Sequence, residues 1–139
     1  MQIKNEKPPI WENACAAFQI NPKNTIFTYG DIIYNPGGKT LSEDVIAHET
    51  VHIQQQSVDG PDLWWGKYLR DPEFRIQQEV RAYAAQFAFL ISKYKDKNQR
   101  VRILMDLAQL LSGPLYANAI SHTEAMMLIQ QCSGFSILK

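Results

Sequence analysis

The chain carries no surplus of charge: Lys+Arg 14 and Asp+Glu 14 cancel to a formal net charge of +0. Proteins that live on phosphate contacts show a basic excess or stripe. The one basic cluster, Lys93, Lys95, Lys97, Arg100 and Arg102, is broken by Asp96 and reads as a solvated helix junction. Nucleic acid is therefore not the expected partner. Cysteine is scarce as well. Cys15 and Cys132 stand near opposite ends, with neither a CxxC nor a metal-ligand spacing. That excludes a disulfide scaffold and leaves two buried thiols as the expectation, with one end-to-end disulfide as the alternative. Long apolar runs are missing: Ala82 to Ser92 is the longest and contains Gln86, too short to span a bilayer. Met1 to Pro9 is polar and lacks the apolar core of a secretory signal. The expected setting is cytoplasmic, with phage association open and no membrane partner.

What is present fits one globular domain. At 139 residues with 45% hydrophobic content, a chain can bury roughly two thirds of its unfolded surface without staples. We expect a single domain over 1–139: an N-terminal segment at 1–20, a metal-site core at 25–93 and C-terminal helices at 98–139. The class is α+β, mostly helical. Pro9 to Phe18 reads as a first helix, ended by Asn21-Pro22. Thr25–Tyr29 and Asp31–Tyr34 are β-branched and aromatic, with Gly30 between them, and read as a hairpin or one bulged strand. A helix from Thr40 to about Gln56 is opened by a Thr40/Glu43 capping box and closed by Asp59-Gly60-Pro61. An aromatic connector, Trp64 to Tyr68, follows. Asp71-Pro72 starts a long helix to about Lys93. Further helices cover about Gln99 to Leu111 and Ser121 to just before Gly134.

The residues that carry chemistry are His48-Glu49-Thr50-Val51-His52, an HExxH pattern inside an expected helix. Spacing of i and i+4 places both imidazoles on one face, within reach of one metal ion. Glu49 is turned about 100° away, so it can flank the metal and take a proton from a water that the metal activates. Two of the three histidines fall in this motif. A catalytic zinc site needs a third protein ligand. Gln55 and Val58 stand where the longer three-histidine motif needs Gly and His, which removes that reading. His122 is far downstream. Glu79 lies on the stripe of Ile76, Tyr83, Phe87 and Leu90, where a carboxylate is costly unless paired or bound to metal. An ion pair with Arg75 or a lysine is the competing account.

The strings Ala47-His48-Glu49-Thr50-Val51-His52-Ile53-Gln54-Gln55 and Glu79-Val80-Arg81-Ala82-Tyr83 resemble gluzincin-type zinc metallopeptidases, in particular small ones of bacteria and their phages. The resemblance covers roughly Thr25 to Gln86. It implies a zincin-like fold, with a small antiparallel β element packed on an active-site helix and a second long helix carrying the glutamate. It also implies Zn²⁺ held by His48, His52 and Glu79, Glu49 as general base, and a peptide or protein substrate laid along the Thr25–Tyr34 element. Many gluzincins carry an aspartate four residues after the ligand glutamate; Tyr83 stands there in this chain. Tyr83 and His122 are the catalytic candidates beside Glu49 for stabilising an oxyanion, with Tyr116 and Tyr68 behind them. Gln54, Gln55 and Gln56 read as a polar helix end or as hydrogen-bond partners behind the metal ligands. The competing function is a non-catalytic metal-binding interaction or structural module, and the same donors are compatible with iron or manganese.

Overall fold

A computed structural model describes residues 1–136. It is α+β and mostly helical. Three short strands, β1 (Gln2–Lys4), β2 (Phe27–Tyr29) and β3 (Ile32–Tyr34), accompany six helices. These are α1 (Trp11–Ala17), α2 (Glu43–Asp59), α3 (Pro61–Arg70), α4 (Pro72–Lys93), α5 (Lys97–Leu111) and α6 (His122–Ser133), with a 3-10 turn at Pro114–Tyr116.

The hairpin forms where expected. Tyr29 pairs with Ile32, so Gly30 and Asp31 make a two-residue loop, and Gly30 takes the positive φ of 64° that such a turn requires. The sheet is mixed, not purely antiparallel. β1 pairs parallel to β3, giving the order β1-β3-β2 and leaving β2 as an edge strand.

Local chemistry explains most helix starts. Asp71 accepts hydrogen bonds from the Glu73 and Phe74 N–H groups at 3.0 and 3.2 Å, with Pro72 in the first turn. Asp96 and Ser121 cap α5 and α6 in the same way. At α2 the expected capping box is replaced. Ser42 is the N-cap and makes no side-chain capping bond, and Glu43 instead pairs with Lys93 at 3.0 Å. The aromatic connector is itself helical: α3 begins at Pro61 directly after α2 and carries Trp64, Trp65 and Tyr68 on its buried face. Arg75 ends it by donating to the Tyr68 and Leu69 carbonyls at 2.8 and 3.1 Å. Both cysteines are exposed and free, against the expectation of buried thiols, because they lie on the outer faces of α1 and α6.

The apolar interior has two parts. One joins α4, α5 and α6 through Phe87, Leu104, Leu111 and Ile129. The other joins the sheet, α1 and α3 through Ala14, Phe27, Tyr34, Trp64 and Trp65. Helix α2 packs against α4, α3 and β2, and its buried residues are His48, Glu49, His52 and Gln56. A helix whose buried residues are all polar must satisfy them with partners.

Candidate metal centre

Glu79 is 3% exposed and faces α2 from α4. Its Oε1 lies 3.1 Å from His48 Nε2, and its Oε2 lies 3.3 Å from His52 Nε2. The competing account fails, since Arg75 spends its guanidinium on the end of α3. Tyr68 and Tyr116 donate their hydroxyls to the same carboxylate at 2.6 and 3.2 Å. The three ligand atoms lie within 4.8 Å of one another, and the group can hold a metal ion. Donors bound at about 2.0–2.2 Å to a tetrahedral ion sit about 3.3 Å apart. The two histidine–glutamate separations are already of that size.

The far side of each imidazole decides which nitrogen is offered. His48 Nδ1 lies 2.9 Å from Gln86 Oε1, while the amide nitrogen of Gln86 donates to Asp44 Oδ2 at 2.8 Å. His52 Nδ1 lies 2.9 Å from Gln55 Oε1, while the amide nitrogen of Gln55 donates to the Gln78 carbonyl at 3.1 Å. Asp44 and the Gln78 carbonyl can only accept, so they orient each glutamine with its oxygen toward the ring. Each Nδ1 then carries the proton, and each Nε2 lone pair points at Glu79. Two lone pairs facing a buried carboxylate call for a cation between them, either a proton or a metal.

The charges respond accordingly. Burial pushes the His52 imidazole down, but the Glu79 carboxylate outweighs it and raises His52 to about 9. Burial raises Glu79, yet His52 and then His48 hold it well below the usual carboxylate range. Burial, reinforced by Glu79, lifts Tyr68 and Tyr116 well above the usual phenol range, so both stay hydrogen-bond donors.

Glu49 is buried beside the ligands and does not join them. The Thr28 hydroxyl donates to its Oε2 at 2.7 Å. Thr28 is itself pinned, because its carbonyl accepts from Gln56 Nε2 at 2.7 Å and Trp65 Nε1 at 2.9 Å. Strand β2, α2 and α3 thus meet at one residue that orients Glu49. A cavity of about 60 Å³ opens onto His48, Glu49, His52, Glu79, Tyr68 and Tyr116.

The other named candidates fall differently. The Tyr83 ring packs edge-on to His48 at 4.5 Å, and its hydroxyl lies 3.1 Å from that of Tyr116; it does not line the cavity. His122 sits at the start of α6, with Nε2 3.1 Å from the Met105 carbonyl and no contact with the centre. Sequence reasoning missed Gln86, Asp44 and Thr28. Gln86 stands seven residues after Glu79, two turns along the same face, and that spacing was the available signal. Thr28 offers none, since its partner is 21 residues away. No protein-family model, curated protein or solved structure matches the chain.

Proposed function

We propose that the chain is a zinc-dependent peptidase of the gluzincin type. The observation that carries this reading is the shared orientation of His48 and His52, both Nε2 atoms on Glu79, with Glu49 held next to them by Thr28 and not spent as a ligand. A site built only to hold a metal has no use for that fourth group. His48, His52 and Glu79 would hold the ion, and donors of this type and spacing suit zinc. When bound, the metal supplies Lewis acidity, which acidifies water toward neutral pH and polarises a carbonyl. The chain's own residues do the rest. Glu49 accepts the proton of the attacking water and passes it to the leaving amine. Thr28 fixes the carboxylate that makes this transfer. Tyr68 and Tyr116 give their hydroxyl protons to Glu79 and so orient the carboxylate that would hold the ion.

The test is zinc loading with Glu49→Gln beside the wild type. We expect equal zinc, about one per chain by elemental analysis, and a loss of at least about 100-fold in cleavage of an unfolded protein substrate. Equal cleavage by the two proteins would overturn the mechanism.

A second reading is favoured by the polar buried face of α2: a metal that serves the fold or an interaction, without turnover. It predicts zinc binding and loss of the fold on chelation, with no cleavage of any unfolded substrate by the wild type.

A further inference from the structure

A second cavity, of about 240 Å³, shares the indole of Trp64 with the first. His48, Glu49, His52 and Glu79 do not line it, so it is separate from the metal centre. Helix α4 lines it with Phe74, Gln78 and Arg81, spaced four and three residues apart and therefore on one helical face. Helix α3 adds Leu63 and Lys67 beside Trp64, and the end of α2 adds Val58 and Asp59.

The polar groups of this cavity are mostly donors. Lys67 and Arg81 are exposed, and neither makes an ion pair among the described residues. Lys67 Nζ rests 5.8 Å from the centre of the Phe74 ring. Trp64 Nε1 donates to Gln78 Oε1 at 3.0 Å. An indole nitrogen can only donate, so this bond settles which end of the Gln78 amide is the oxygen. The Gln78 amide nitrogen then has no partner among the described residues. Asp59 is the one carboxylate lining the cavity, and it belongs to α2. Gln78 and Arg81 are neighbours on α4, so the free donors gather on the α4 side.

We infer that this cavity binds a small-molecule carboxylate with an apolar body. Arg81 and the Gln78 amide nitrogen hold the carboxylate, and Lys67 adds positive charge. The body lies against Trp64 and Phe74, displacing water from apolar surface. Val58 and Leu63, 78% and 63% exposed, flank the same cavity and are partly covered by such a ligand. The volume has room for roughly eight waters, or one ligand of about ten non-hydrogen atoms. That favours a free small acid over a longer chain. Two cations against one carboxylate disfavour an amine. The inference goes beyond the peptidase reading and does not depend on it.

The test uses the full chain as purified, with phenylacetate as the probe and the Trp64 indole N–H resonance followed by heteronuclear NMR. A ligand of this size should bind in the millimolar range, on the order of 1–10 mM. 2-Phenylethanol, the same body without charge, should bind at least about 10-fold more weakly, and phenethylamine more weakly still. Arg81→Gln should weaken phenylacetate about 10-fold. Arg102→Gln, the same charge change on α5, should leave it unaltered, which controls for net charge. Backbone resonances away from the cavity verify that Arg81→Gln is folded. No shift of the Trp64 resonance up to about 50 mM phenylacetate, equal binding of the alcohol, tighter binding of the amine, or undiminished binding by Arg81→Gln would each overturn the site. Tighter binding of Ala-Ala-Phe than of phenylacetate would overturn the small acid in favour of a peptide C-terminus. None of these readouts involves turnover at the metal centre, so failure here leaves the peptidase reading standing.

Discussion

A buried imidazole offers a metal only the nitrogen that its other hydrogen bond leaves free. In this chain that choice is made by two glutamines, each anchored by a group that can only accept. Gln86→Leu removes the acceptor for His48 Nδ1–H and one of the donors to Asp44. We expect about 10- to 100-fold weaker zinc binding, and Gln55→Leu should act similarly on His52. Competition with a chromophoric chelator measures both, and unchanged affinity in the two variants would remove the orienting role. Protons compete for the same atoms. With His52 raised to about 9 beside Glu79, the metal-free fold holds a proton there at neutral pH. The folded value exceeds the unfolded value of about 6.5, so this contribution to stability is complete below that pH and fades as pH rises through about 9. Zinc must displace the proton, so uptake at pH 7.5 should release protons and affinity should rise with pH. Calorimetry in two buffers of different ionisation heat reads the release directly. A binding heat independent of buffer would contradict it.

At the level of elements, helix α4 was legible because each local signal agrees: Asp71-Pro72 at its start, an apolar stripe along it, and Glu79 as an acidic misfit on that stripe. Asp71→Ala should cost about 1 kcal/mol of stability, read as a lowered urea midpoint; an unchanged midpoint would mean that tertiary packing alone sets the start of α4. Helix α2 was legible through its HExxH spacing, but it starts at Glu43 and not at Thr40, with Ser42 as the N-cap and Glu43 facing outward to Lys93. Two elements were not legible, for physical reasons. Strand β1 is three exposed residues whose pairing depends on β3 thirty positions away, and no local pattern encodes that. Helix α3 is short and carries Gly66, so Trp64, Trp65 and Tyr68 resemble a plug between helices until their burial on one face is seen. The site divides in the same way. Ligands spaced along single helices can be read from sequence. The groups that aim His48 and Glu49, Gln86 on α4 and Thr28 on β2, come from elements that the fold brings against α2.

Across the whole molecule, the two apolar clusters meet at a polar seam. Residues of α4 such as Phe87 lie in one cluster, Trp65 and Phe27 lie in the other, and the buried polar residues of α2 stand between them. Apolar packing stabilises each cluster internally, and Phe87, fully buried, should cost about 3–5 kcal/mol as Ala. Across the seam the bonds are polar: His48 and His52 to Glu79, Glu49 to Thr28, and Gln56 to Thr28. A metal there joins α2 to α4 and stabilises only conformations in which the seam is closed. Hydrogen exchange should therefore change unevenly on chelation. Amides of α2 should lose protection strongly, and those of α5 and α6, anchored by Leu104, Leu111 and Ile129, should change little. If α5 and α6 lose as much as α2, the fold is one cooperative unit and the metal stabilises it globally. If neither changes, the hydrogen bonds at the seam hold it closed without an ion.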